Sequence, residues 1–280
     1  MGKLVEKMHQ VGQSSGNRLG FAGRADSAAS KPRPAAVLVA LNAGDSVAAD
    51  SIVTAGVDAV LIKGWVPDAD ISQVSAVLES SRTVWGVEFT GSAAAAEGVQ
   101  KAAAAAGAAF ILVGPSAPAA VLFDEDRQLD LVVVVDAPKD DLELLLLRAE
   151  NLLQAQAALV QLPQSPGLLG KLTIGEFARL RLVFESLRFP ALVMLNEMPE
   201  AETVKALVQL GADGIMLATT ASKSEAALGK QVQALLEMLQ ALPVHESRRS
   251  SVAIGGFMSG GGESLLPRRP GRPSPEPDEE

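Results

Sequence analysis

The sequence predicts an α/β protein folded as a (β/α)8 barrel of the TIM type, and three observations predict it. Eight short apolar runs alternate with longer stretches of helical period, the pattern of a parallel sheet with crossover helices. The runs are near-continuously apolar, as expected for strands covered on both faces, where a half-exposed antiparallel strand would alternate. Glycines recur between a helix and the next strand, at Gly56, Gly107 and Gly211, where a left-handed residue ends a helix without steric cost.

In chain order the strands are expected at Ala36 to Leu41, Asp58 to Lys63, Val84 to Phe89, Ala109 to Val113, Leu131 to Asp136, Ala158 to Leu162, Ala191 to Asn196 and Asp213 to Ala218. Between them, Ile71, Val74 and Leu78 mark one helical face. Phe177, Leu180, Phe184 and Leu187 mark another, as do Val204, Leu207 and Val208, and then Leu228, Val232, Leu235, Leu236 and Leu239. The alanine-rich stretch Ala93 to Ala106 reads as an outer helix lying close to the sheet. Units four and five are expected to be irregular: the helix there is short, Ala117 to Phe123, and Val121 to Val135 fits a hairpin as well as a crossover. Leu142 to Leu147 carries leucine on more than one face, which suits deep packing or a homo-oligomer contact.

The flanks differ in composition. Residues 1–34 hold one short helical stretch and then Gly, Ser, Arg and Pro without period, so they read as a flexible N-terminal segment. The barrel is expected over 35–243, and 244–280 form a disordered tail of Gly, Pro and charge. Neither flank has the apolar content to order itself. Arg268 to Pro273 and the glycines at 255–256 and 260–262 lack the context of a groove-binding hook or a phosphate loop.

Composition excludes several functions. The chain has 280 residues, 48% apolar and 20% charged, and a formal net charge of −9, which argues against nucleic acid or an anionic membrane surface as partner. With no cysteine there is no disulfide, thiolate nucleophile or thiolate metal ligand, and His9 and His245 both fall outside the strand-helix pattern, so no metal site is expected. Neither a signal peptide nor a run approaching the ~18 apolar residues of a membrane span is present, and the expected location is the cytoplasm.

Chemistry in such a barrel sits at the C-terminal ends of the strands, because the loops there form the open mouth while the interior is packed. The strand ends carry Asn42, Lys63, Glu88, Asp136, Gln161, Asn196 with Glu197, and Thr219 with Thr220; Ser116 lies just beyond strand four. Lys63 has the chemistry of an anion ligand, a base or a Schiff-base amine, with Glu88 and Asp136 as acid and base partners. Asn42, Gln161, Asn196, Thr219 and Thr220 are the substrate-binding candidates. The competing reading of each is a solvated strand-end residue in an ordinary ion pair, and a one-residue error in a strand end would turn its side chain outward. Trp65 and Trp85 suit either ligand stacking or packing.

Met198 to Leu217, with Gly211-Ala212-Asp213-Gly214, is similar to the last third of aldolase-type barrels, the class that holds thiazole synthase, nitronate monooxygenase, IMP dehydrogenase and tryptophan synthase alpha. The phrase Thr54-Ala55-Gly56-Val57-Asp58-Ala59 repeats its helix-glycine-aspartate-strand order near the start. The resemblance implies a phosphate of substrate or FMN held by glycines after strands seven and eight. Here strand seven runs into Asn196-Glu197-Met198 and strand eight into Ala218-Thr219-Thr220-Ala221-Ser222, so the glycines are missing and FMN loses its usual grip. The cofactor is therefore left open. Two functions remain in view: an aldolase-type enzyme, lyase, isomerase or oxidoreductase, acting on a small ligand at the mouth, or a divergent barrel that binds a metabolite or partner protein without catalysis.

Overall fold

The computed structural model describes residues 2–12, 31–66, 71–91, 98–123, 128–136, 155–162, 173–218 and 225–244, all within one compact unit, Met1–Glu246. Eight parallel strands pair in chain order and close into a barrel: β1 Ala36–Asn42, β2 Ala59–Lys63, β3 Val84–Phe89, β4 Phe110–Val113, β5 Asp130–Asp136, β6 Ala157–Gln161, β7 Ala191–Leu195 and β8 Gly214–Ala218. Every expected strand is present, with ends displaced by at most one residue. The described helices are α1 Lys3–Gly12, α2 Ser46–Ala55, α3 Ser72–Ser80, α4 Val99–Ala105, α5 Ile174–Ser186, α6 Ala201–Leu210 and α7 Glu225–Gln240. The hairpin alternative for Val121 to Val135 is excluded: a single 3-10 turn, Ala119–Phe123, leads into β5, which pairs in parallel with β4. Buried Gln100 of α4 donates its side-chain amide to the Val121 carbonyl and so ties this turn to the outer ring where a full helix is missing. Leu142 to Leu147, residues 92–97 and the segment after residue 244, with His245, lie outside the described residues.

The register fixes which side chains enter the barrel. Starting at Asn42, partners run through Lys63, Glu88, Leu112, Val132 and Ala157, and the remaining ladders return the path to β1 at Pro34, eight residues below its start. Eight residues of stagger over eight strands is one residue per strand, so inward side chains at a common height come in fours from alternate strands. The lowest complete set is Ala59, Phe110, Ala157 and Gly214; above it lie Leu38, Gly86, Val132 and Leu192, then Leu61, Leu112, Leu159 and Met216. All twelve are buried. Steric detail agrees with this stacking. A Cβ on Gly86 would collide with the Phe110 ring and carbonyl below it, and one on Gly214 would meet Leu192 at 2.5 Å and Leu38 at 3.1 Å above it. The glycines are where large neighbours need the space.

Residues of the opposite parity, including Val37, Val39, Val60, Ile62, Ile111, Val133, Val160, Val193 and Ile215, form a separate outer core with the helices. Trp65 and Trp85 belong to that outer core, 3% and 2% exposed, so both are packing residues and neither faces a ligand. Helices α2 and α7 close the ring across β1 and β8; a Cβ on Gly229 would meet the Ser51 hydroxyl at 2.5 Å, so this glycine sets their close approach.

The bottom of the barrel differs from expectation. Helix α1 does not belong to a loose flank: Leu4 and Met8 join the inner core and Val11 packs on it, against β1, β3 and β5. Burying such side chains contributes about 1.5–3 kcal/mol each, which offsets the poor intrinsic stability of a ten-residue helix. The sequence hid this because α1 fills a hole that only the closed barrel creates. Asp130, inward at the foot of β5, accepts the Leu4 N–H at 2.9 Å and satisfies an otherwise open donor of the first turn. Burial raises its pKa above the ordinary aspartate value, the N–H bonds from Leu4 and Val5 opposing this only in part.

The repeated Gly-x-Asp phrase also has its cause here. Gly56 and Gly211 adopt φ of 90° and 108° and end α2 and α6. Two residues later, the carboxylate of Asp58 accepts the Val37 N–H at 2.8 Å and that of Asp213 accepts the Ala191 N–H at 2.8 Å, each at the start of the preceding strand. Gln156 does the same for Leu131 at 2.6 Å. Asp58 is further paired with buried Arg33, beside α1. These polar groups stitch strand starts that the regular ladder leaves unpaired.

Two outcomes follow for stability. Replacing Asp213 with Ala leaves the Ala191 N–H without this acceptor, and urea unfolding is expected to show a loss of about 1–3 kcal/mol, largely recovered by Asp213→Asn. An unchanged midpoint for Asp213→Ala would remove the stitch from the argument. For Asp130 the sign runs the other way from a salt-bridged carboxylate: its folded-state pKa is raised, so its favourable contribution is complete below the unfolded-state value and is lost as pH rises through the folded value. Asp130→Asn keeps an acceptor without the charge, so its stability relative to the native chain is expected to climb across that window and then level off in urea midpoints measured against pH.

Candidate mouth of the barrel

The same register carries the inward sets upward past the buried core. Above the Leu61, Leu112, Leu159 and Met216 floor comes a set of Ala40, Glu88, Val134 and Met194; then Lys63, Gln161 and Ala218, with Gly114 following the end of β4; then Asn42 and Asp136, with Thr90 and Asn196 following the ends of β3 and β7. Exposure follows height. Glu88, Lys63 and Gln161 are half-buried, while Asn42, Thr90, Asp136 and Asn196 are exposed. The parity that decides direction falls the same way on β1, β2, β3, β5 and β6: Asn42, Lys63, Glu88, Asp136 and Gln161 share the inward phase of the buried residues below them, and Asn196 follows the end of β7.

Two groups form across this mouth. Asn42 and Lys63 are register partners on β1 and β2, and Glu88 on β3 continues that row. Asp136 and Gln161 are partners on β5 and β6, on the far side. Lys63 and Glu88 are thus neighbours, whereas Asp136 stands across the barrel and higher, a rim group opposite Asn42. Small residues stand between the two groups. A Cβ built on Gly114 would meet no described atom within 4 Å, and Ala218 is the other small member of that set. Lys63 and Gln161 face one another across these two small residues.

Polar capacity here is unspent. Among the described residues no hydrogen bond or ion pair engages the side chains of Lys63, Glu88, Asp136, Gln161 or Asn196; the two ion pairs are Arg33–Asp58, at the bottom, and Arg181–Glu185, on α5. The solvated ion pair expected from ordinary strand-end residues is not made. Asn42 is the exception, because its side-chain amide donates to Asp45 at 3.1 Å and its backbone N–H to the same carboxylate at 3.2 Å. Asp45 precedes α2 but makes no side-chain cap bond to it, so its carboxylate holds Asn42 in place instead. Gly64, at φ 66°, turns the chain after Lys63 and sends Trp65 back into the outer core.

Thr90 and Gly114 were absent from the sequence-derived set. Counting by twos from Glu88 and from Leu112 finds both, once the strand ends are placed. Ser116 lies beyond β4 and is exposed, and Thr219 and Thr220 lie outside the described residues. His9 is exposed on α1, at the opposite end of the barrel. Among the described residues no group of three His, Cys, Asp or Glu side chains is placed to hold a metal ion, and no helix is long and apolar enough to cross a membrane.

The β7–α6 side of the mouth is acidic. Glu197 follows Asn196, Glu200 occupies the N-cap of α6 in extended conformation without a side-chain cap bond, and Glu202 lies in its first turn. The positive end of the α6 dipole, which would favour an anion, already has carboxylates of its own beside it. With the glycines also missing, the residues present on this side do not fit the phosphate of FMN.

Among solved structures, the tryptophan synthase alpha-subunit from Pyrococcus furiosus superimposes with a TM-score of 0.56 at 14% identity, covering 75% of this chain and 99% of that one. The chain is a (β/α)8 TIM barrel in fold. Orotidine 5'-phosphate decarboxylase from Pyrococcus horikoshii is similar, with a TM-score of 0.53, 13% identity and coverage of 74% and 100%. So is 3-keto-L-gulonate-6-phosphate decarboxylase from Vibrio cholerae, at 0.54, 15%, 74% and 99%. No protein-family profile matches the chain, and no curated protein sequence does. At these identities the likeness is one of fold.

Proposed function

We propose that this barrel is an enzyme of the aldolase-type class that binds a small polar metabolite in its mouth, with Lys63 and Glu88 as the reacting pair. One observation carries the reading: half-buried polar side chains converge over a sealed apolar floor, beside small residues, with their hydrogen-bonding capacity unused. Half-buried polar groups are costly to leave unpaired, and a ligand that supplies the partners recovers that cost. The solved barrels that it resembles are named as enzymes of small metabolites, which supports the same class.

In this reading Lys63 polarises a carbonyl or takes a proton, acting on a ligand atom lodged between it and Gln161. Glu88, one set lower and one strand along, exchanges the proton. Asp136, Asn42 and Asn196 orient the ligand from the rim, and Thr219 and Thr220 complete the binding set from the end of β8. The chemistry is then proton transfer next to a carbonyl, within the lyase and isomerase range, and it uses no group that the chain does not itself provide.

Thermal-shift screening of the full chain against a metabolite panel tests the proposal, with titration calorimetry on each hit. Lys63→Ala is expected to weaken binding of a hit by about tenfold or more, the worth of one charge-assisted hydrogen bond. Gly114→Leu adds bulk at a position where a Cβ meets no described atom within 4 Å, so it is expected to abolish the shift while the unliganded melting temperature stays near that of the native chain. A hit whose affinity survives both substitutions would place its site elsewhere and overturn the proposal.

A further inference from the structure

We infer that the ligand of the mouth is an uncharged, hydroxyl-rich compound, a free sugar or polyol, and not a phosphate ester; this rests on the mouth being the binding site. The inference comes from matching what the walls offer. Asn42, Gln161 and Asn196 each present a donor and an acceptor, and Thr90 presents both on one atom. A hydroxyl is likewise donor and acceptor at once, so a run of hydroxyls can satisfy such walls from either side, which a phosphate, an acceptor only, cannot do.

Charge points the same way. Among the described mouth residues Lys63 is one cation against the carboxylates of Glu88 and Asp136. The β7–α6 side adds Glu197, Glu200 and Glu202, all exposed, around the one described helix start beside the mouth on that side. Barrels of this type often seat a phosphate on the loops after strands seven and eight, and structures similar to this one carry a phosphate in the names of their substrates. In this chain the approach to that helix start carries three carboxylates, with Lys205 one turn further along α6. Neither tryptophan faces the mouth, so no described indole face is offered to an aromatic ligand. Depth sets a size. Glu88 is the lowest polar group, directly above the floor of Leu61, Leu112, Leu159 and Met216, so a single short chain of hydroxyls spans from Glu88 to the rim.

The test compares D-ribose and D-glucose with their terminal phosphate esters and with inorganic phosphate, by titration calorimetry on the full chain. The comparison is repeated on a variant carrying Glu197→Gln, Glu200→Gln and Glu202→Gln, exposed positions whose replacement leaves the core untouched. A free sugar is expected to bind about tenfold or more tightly than its ester, Gln161→Ala to weaken it, and the triple variant to narrow the gap by admitting the ester. If an ester or inorganic phosphate binds as well as the free sugar, and Lys63→Ala abolishes it, the mouth is the site and the ligand class is wrong. If no free sugar binds while another compound passes the Gly114→Leu test, the class is likewise wrong and the site survives. Loss of both tests removes the site with it.

Discussion

Everything in this molecule depends on the closure of the sheet with an eight-residue stagger. Backbone hydrogen bonding between neighbouring strands fixes the stagger, and the stagger fixes height: each step to the register partner on the next strand lowers the level by one residue. Because side chains alternate with a period of two, each strand then contributes to the barrel axis only at every second level. A floor of Leu61, Leu112, Leu159 and Met216 and a polar group of Lys63 and Gln161 are the same four strands read two residues apart. A one-residue slip anywhere in the ladder would exchange Glu88 for Val87 at the mouth and drive a carboxylate into the outer core.

That constraint separates stability from function along the barrel axis. The bottom is where the polar devices are closed: Asp58 and Asp213 hold the first amides of β1 and β7, Arg33 pairs with Asp58, and Asp130 holds the first turn of α1. Each of those groups has its partner within the chain. At the top the corresponding groups do not. The contrast between partnered carboxylates below and carboxylates without a described side-chain partner above is what the proposed binding site rests on.

Much of this was legible in the sequence, and the parts that were not share a reason. The strands were visible because burial on both faces leaves continuous runs such as Ala36 to Leu41, and the helix ends because Gly56 and Gly211 must take positive φ. Asn42, Lys63, Glu88, Asp136, Gln161 and Asn196 were visible because a polar residue at the end of an apolar run stands out. What composition could not supply is relation across strands. Thr90 looks like a loop residue and Gly114 like a spacer until the strand ends are placed, when each proves to follow its strand directly, two residues on from Glu88 and from Leu112. Helix α1 looks like a flank because Leu4, Met8 and Val11 have no partner in sequence; their partners, at the foot of β1, β3 and β5, come together only when the barrel closes. Trp65 looked like a platform because it follows Lys63, and the left-handed turn at Gly64 reverses that.

The depth of Glu88 bears on what the mouth accepts. Its set-mates Ala40, Val134 and Met194 are apolar, and no described side chain hydrogen-bonds its carboxylate. On the proposed reading, a ligand beside Gly114 covers this carboxylate and must supply it with donors. Lys63, one set higher on the adjacent strand, supplies one positive charge nearby; a ligand hydroxyl in contact supplies the hydrogen bond. A phosphate brought to the same depth would supply acceptors where donors are needed and add repulsion to the cost of lost water. On the proposed reading, the order of the mouth, Glu88 lowest, then Lys63 with Gln161, then Asn42 and Asp136 at the rim, suits a ligand that offers both donors and acceptors along its length.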